Sequence, residues 1–398
     1  MYARLSLVAF ATLAATGCAQ NRPMADDRPM MNDGAMADGM MSANRPPVVP
    51  NPRNANIGPQ PTTTDPMQIQ PAGPAPSFAP GIDPQMQAVV EQLQAFEQPP
   101  LPQLTAFQAR MGKTATDAVE TLLMKTGTRP MPPRVDIQAR VIPVGPPEGI
   151  HVRTYTPLEG TGPFPVIVYY HGGGWVIANL DTYEPSARAL AERTGAVVVS
   201  VAYRQAPEQK FPAQHEDSFA AYRYVVENAA QFNGDPNRIA TAGESAGGNL
   251  AVAVALLARD RGVRLPTHVV SVYPIADGDT QSPSYDRYAS AVPLDRPGMA
   301  WFFQNTLARP ADAQNPLISL VDANLQGLPP TTIINAEIDP LLSDGEELAQ
   351  AMRRAGVQVE QRTFTGVTHE FFGMAALLEQ AVQAQTLAVS RLRQAFGQ

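Results

Sequence analysis

Two short glycine-rich segments hold the residue types best suited to chemistry. Gly243-Glu244-Ser245-Ala246-Gly247-Gly248 follows the β-type run Arg238 to Ala242 and precedes an apolar helical pattern. A serine on a sharp strand-to-helix turn is presented as a nucleophile, and small residues on either side let strand and helix approach each other. The competing use of Ser245 is as a helix N-cap. The second segment, His171-Gly172-Gly173-Gly174-Trp175, follows the run Val166 to Tyr170. Consecutive glycines leave backbone N–H groups unobstructed, as acyl transfer requires where an oxyanion develops. A phosphate-binding loop would carry a lysine or a G-x-G-x-x-G spacing, and neither is present. Both segments, each after a strand, point to nucleophilic acyl transfer.

A serine nucleophile needs a base and an acid, which in this strand–turn–helix context follow it in the order Ser, acid, His. Only His268 and His369 lie beyond Ser245. His268 opens the run Val269 to Tyr273, at the wrong end of a strand. His369, in Gly366-Val367-Thr368-His369-Glu370-Phe371-Phe372, follows the last strand pattern and is the candidate base. His171 suits bracing the glycine loop. Asp339 follows the run Thr331 to Ala336, and Pro340 stiffens the loop that would hold its carboxylate. Asp295 and Glu337 remain competitors for the acid, and Asp344 reads as the N-cap of the next helix.

The elements that must position these groups alternate. Val135 to Val141 and Ile150 to Tyr155 form a hairpin pattern, followed by near-continuous apolar runs at Val166 to Tyr170 and Ala196 to Val201. Strand patterns recur at Arg238 to Ala242, His268 to Tyr273, Thr331 to Ala336 and Val357 to Phe364. Helical patterns lie between them at Tyr183 to Arg193, Ala213 to Ala230, Ala246 to Arg261, Asp344 to Ala355 and Met374 to Phe396. Ahead of the sheet, Met86 to Phe96 and Thr105 to Lys125 read as two amphipathic helices. Alternation of this kind predicts an α/β fold with a mostly parallel sheet covered on both faces, its site at the carboxyl ends of the strands.

Composition narrows the class. Hydrophobic residues make up 44% of the 398, enough for a core, and a net charge of −8 without a basic cluster argues against nucleic acid as partner. One cysteine, Cys18, excludes a disulfide framework, and five scattered histidines argue against a metal centre. Arg4, the apolar run Leu5 to Ala15 and the small residues before Cys18 read as an export leader. Ala15-Thr16-Gly17-Cys18 is similar to the lipobox of bacterial lipoproteins, although leucine is usual at the place of Ala15. Cleavage at that site would leave Cys18 for lipid attachment, and ordinary signal-peptidase cleavage near Ala19 is the alternative. Residues 19–84 are Pro- and Met-rich and lack leucine. They read as a disordered tether, with a chain starting near Asp83 expected to fold.

From residue 85 onward the chain resembles the hormone-sensitive-lipase-like family of α/β-hydrolases, the bacterial carboxylesterases with an HGGG loop. The resemblance rests on HGGGWV from His171, YRQAPE from Tyr203, FPAQHED from Phe211, DPNRIATAGESAGGNLA from Asp235, AEIDPLLSDGE from Ala336 and GVTHEFFGM from Gly366. It implies an α/β-hydrolase fold over 85–398, with an eight-stranded sheet and a helical cap from about 85–130 and 277–310. It also implies Ser245, Asp339 and His369 as the catalytic triad, an oxyanion hole from the N–H groups of Gly173, Gly174 and Ala246, and hydrolysis of small esters without cofactor or metal. A deacetylase of sugar or antibiotic esters is the nearest variant. A surface-anchored, non-catalytic binding lipoprotein is the reading from another class. A lipidated Cys18 would make the cell envelope the location and the lipid the only membrane contact. Three positions depart from the family pattern: Gln205 where Leu is usual, Glu244 where Asp is commoner, and Glu370 where Gly usually follows the histidine.

Overall fold

The computed structural model describes residues 69–128 and 131–398. Eight strands form one sheet: β1 (Val135–Ile142), β2 (Ile150–Pro157), β3 (Phe164–Tyr170), β4 (Val197–Ala202), β5 (Gly234–Glu244), β6 (Val269–Val272), β7 (Thr331–Ile338) and β8 (Val359–Thr368). Their spatial order is β1-β2-β4-β3-β5-β6-β7-β8. β1 and β2 pair antiparallel, β2 meets β4 antiparallel, and β3 to β8 run parallel. Among the described residues ten α-helices accompany them: α1 (Pro84–Gln94), α2 (Ala106–Arg110), α3 (Ala115–Lys125), α4 (Glu184–Thr194), α5 (Ala213–Asn228), α6 (Ala246–Asp260), α7 (Pro283–Arg287), α8 (Arg296–Thr306), α9 (Leu342–Arg354) and α10 (Glu379–Ala395).

β3 and β4 are almost wholly apolar because helices cover both sheet faces. All of β3 is buried, and its side chains alternate between two cores. Val166 and Val168 join α5 and α6 on one face, while Ile167 and Tyr169 join α4 and α10 on the other. Sequential β3 and β4 lie side by side, but the chain then crosses back to place β5 on the other flank of β3. That reversal opens a crevice at the carboxyl ends of β3 and β5, the place where open α/β sheets bind ligands.

Several sequence expectations shift. The run Thr105 to Lys125 is two helices rather than one: Thr105 caps α2 with Gln108, and Thr114 caps α3 with Asp117 in a second capping box. Periodicity alone does not mark the break, which falls between the C-cap Met111 and the N-cap Thr114. The pattern Met374 to Phe396 becomes helical only at Glu379. Leu377 and Leu378 are apolar because they pack against the core. Asp344 is no N-cap. It sits inside the first turn of α9, and its carboxylate accepts the N–H groups of Ala276 and Asp277 (2.9 and 3.1 Å), tying the loop after β6 to this helix.

The packed domain also begins earlier than residue 85. Ile69, Ala79 and Ile82 are buried in the same core as Met86 and Phe371. Glu91 accepts the amides of Ala72 and Gly73, and Asp83 donates its N–H to Gly366 O at 2.8 Å. A few apolar residues with distant partners suffice where local composition suggested none. The leader, Cys18 and the tether up to residue 68 lie outside the described residues.

Candidate active site

Ser245 follows β5 directly, with φ +58° and ψ −120°, a left-handed conformation that a non-glycine residue adopts only under strain. The turn is closed so tightly that a Cβ on Gly247 would strike the carbonyl of Tyr170, and one on Gly243 the carbonyl of Gly247. Ser245 occupies the N-cap position of α6, but its side chain makes no capping hydrogen bond. Its Oγ lies 2.9 Å from Nε2 of His369, which stands just past β8. Nδ1 of His369 lies 2.6 Å from Asp339 Oδ2, and the other oxygen of Asp339 accepts the Leu341 N–H at 2.9 Å. All three side chains are buried. The carboxyl ends of β5, β7 and β8 thus bring together groups far apart in sequence.

Burial alone would push the His369 imidazole down, but the charge and hydrogen bond of Asp339, with Glu370 and Glu244 nearby, raise it above its ordinary value. A histidine so placed takes a proton readily and holds the resulting charge. The competing acids are occupied elsewhere. Asp295 caps α8 through the Gly298 N–H at 2.6 Å, and Glu337 accepts the Gly366 N–H at 2.8 Å. His268 contacts Thr332 Oγ1 at 2.9 Å at the amino end of β6, and burial pushes it down to about 4. His171 stacks on Tyr203 with ring centroids 4.3 Å apart, and its Nδ1 meets Gly172 O at 2.8 Å. Burial pushes it down to about 4 as well, so it braces the glycine loop as a neutral ring.

That loop faces Ser245. Gly173 (φ +91°) and Gly174 (φ +57°) take conformations that disfavour side chains, and among the described residues no acceptor is paired with either amide. Ala246 is the first residue of α6, where the helix has no internal partner for the N–H. Gly173, Gly174, Ser245 and His369 all line one cavity of about 500 Å³, enclosed by Leu93 of α1, Leu104, and Met299 and Phe302 of α8. Among the described residues no group of three or more His, Cys, Asp or Glu side chains could hold a metal ion.

Comparisons with known proteins address the family and the activity. The profile of a family described by its alpha/beta hydrolase fold matches residues 167–373. The carboxylesterase NlhH of Mycobacterium tuberculosis is 39% identical over 291 residues, spanning 71% of this chain and 91% of the relative. The chain belongs to the hormone-sensitive-lipase-like α/β-hydrolases. An ethyl acetate hydrolase of Pseudomonas putida is 35% identical over 230 residues, 57% of this chain and 72% of the relative. Among solved structures, a hyperthermophilic esterase from the archaeon Pyrobaculum calidifontis superposes with a TM-score of 0.72 at 35% identity, covering 79% of this chain and 98% of that one. The protein is a carboxylic ester hydrolase, which displaces the reading as a binding lipoprotein without turnover.

The hydrolase carries supporting groups that sequence reasoning missed. Glu244 is buried one residue before Ser245, and the hydroxyls of Tyr169 and Tyr273 both donate to it. Burial pushes its carboxyl up to about 7 against the opposing effect of those donors. Tyr273 in turn packs on the His369 ring, centroids 4.5 Å apart. Gln205, one of the departures from the family pattern, donates its amide to the carbonyls of Ile177 and Ala178 (2.8 and 2.9 Å), and Arg110 donates to Val176 O at 2.8 Å. Both hold the segment after the glycine loop. The sequence signal for Gln205 was a polar residue inside an otherwise matching block, whereas Arg110 lies ahead of all the matching blocks.

Proposed function

We propose that the hydrolase cleaves small carboxylic esters through an acyl-enzyme formed on Ser245. His369 takes the Ser245 proton as the hydroxyl attacks the ester carbonyl, then gives that proton to the departing alkoxide. Water repeats the sequence on the acyl-enzyme, with His369 again as base, and releases the acid. Asp339 keeps the imidazole tautomer with its proton on Nδ1 and stabilises the imidazolium, without taking the proton itself. The amides of Gly173, Gly174 and Ala246 receive the oxyanion. The observation that carries this reading is the unbroken series from Ser245 Oγ to His369 to Asp339, at 2.9 and 2.6 Å, beside open amides in one cavity. A volume of about 500 Å³ with mainly apolar walls suits a small ester. In this reading α1 to α3, α7 and α8 act as the cap.

Hydrolysis of p-nitrophenyl acetate tests the assignment. Ser245→Ala and His369→Ala should each lower kcat by about 10⁴ or more, since such residues act as a unit. Asp339→Asn should cost on the order of 10³ to 10⁴ by favouring the wrong tautomer. Near-normal turnover in Asp339→Asn would move the acid to another residue.

We further propose that the chain is exported and anchored in the bacterial cell envelope by a lipid on Cys18. Support comes from the leader pattern and the small residues before this single cysteine.

A further inference from the structure

Glu370 stands beside His369 on the cavity wall, in a left-handed conformation with φ +73°. Tyr183 donates its hydroxyl to Glu370 Oε1 at 2.5 Å, which fixes the carboxylate against the loop that leads into α4. The Tyr183 hydroxyl is itself wedged against Gly172, where an added Cβ would collide with it. The side chain is therefore held, and it is only partly buried.

The charges of the cavity lining do not balance. Arg110 and Lys113 line it, but each is already paired with a carboxylate. Arg110 grips Glu208 through two contacts of 2.8 and 2.6 Å, and Lys113 meets Asp117 at 3.0 Å. Asp295 and Glu370 also line it, and among the described residues no lysine or arginine forms an ion pair with either. Asp295 is committed to the Gly298 N–H as a helix cap. Glu370 has a phenol for partner, which orients its charge without neutralising it. Burial pushes its carboxyl above the usual range, while His369 and Tyr183 pull it back. The uncompensated charge of the lining is negative.

We propose that Glu370, held by Tyr183 at the cavity wall next to His369, selects esters whose alcohol part carries a positive charge. This rests on the reading of Ser245, His369 and Asp339 as the catalytic unit. His369 must hand its proton to the departing alkoxide, so the alcohol portion passes the residue next in sequence. An ammonium group there interacts favourably with the carboxylate at short range in a partly desolvated cavity, whereas an anionic alcohol portion is repelled.

The test uses two acetates of nearly the same shape. Acetylcholine and 3,3-dimethylbutyl acetate differ by a quaternary nitrogen in place of a carbon. The ratio of their kcat/KM values with the full chain at pH 8, divided by the ratio for hydroxide-catalysed hydrolysis, should favour the cation by about tenfold. Glu370→Gln should bring the corrected ratio close to one, and Glu370→Lys should invert it. Competition against p-nitrophenyl acetate in the unaltered protein gives a second measure that needs no variant: choline should inhibit more strongly than 3,3-dimethylbutanol. A corrected ratio near one in the active protein, an unchanged ratio in Glu370→Gln, or equal inhibition by the two alcohols overturns this inference alone. Failure to cleave any of these esters, p-nitrophenyl acetate included, overturns the reading of the catalytic unit beneath it.

Discussion

Glu244 is a carboxyl group enclosed by two phenols, one residue before Ser245. An unfolded glutamate releases its proton near 4.5, whereas burial holds this one up to about 7. Between those values the folded chain keeps a proton that the unfolded chain has lost. Stability is therefore greatest below 4.5 and falls as the pH rises through about 7, by about 3 kcal/mol for this group. Urea midpoints at pH 5 and pH 8 should differ less in Glu244→Gln than in the unaltered chain, and an equal difference would remove Glu244 as the source. That Ser245, Asp339 and His369 meet was legible from sequence, because each sits in a loop directly after a strand run. Glu244 was not, since its donors Tyr169 and Tyr273 lie 75 and 29 residues away and leave no local pattern. Asp344 was misread for the same reason: its partners belong to the loop after β6, not to its own helix.

At the scale of elements, β3 and β4 were readable because strands buried on both faces are near-continuous apolar runs. The short segment before α1 was not. Ile69, Ala79 and Ile82 are too few and too widely spaced to form a period, yet they close one side of the core around Met86. Asp83 caps α1 and bonds to Gly366 in β8, three residues before His369. Removing the segment would uncover that core and loosen the strand end that leads to His369. A chain beginning at residue 59 should match the full chain in melting temperature and in p-nitrophenyl acetate turnover. One beginning at Asp83 should lose stability on the order of 4 kcal/mol, from the apolar side chains no longer buried. Equal melting temperatures for the two truncations would show that the segment contributes nothing.

For the whole molecule, the reversal of strand order beside β3 sets the crevice, and residues of α1, α2 and α8 wall it into a partly open cavity. The first could be expected from an alternating α/β pattern, but the second depends on long-range packing that periodicity does not encode. The proposed envelope location turns on Cys18. Replacing it with serine in the full gene should move esterase activity from the membrane fraction to the soluble one, and soluble activity in both forms would refute the lipid anchor. The central claim, covalent catalysis by Ser245 with His369 as base, is tested most directly by mass spectrometry after reaction with a p-nitrophenyl phosphonate, which the enzyme cannot deacylate. One phosphonyl group should appear on the peptide carrying Ser245, with one equivalent of p-nitrophenol released and all esterase activity lost. Inactivation with the label on another residue, or full ester turnover in a protein labelled at Ser245, would contradict it.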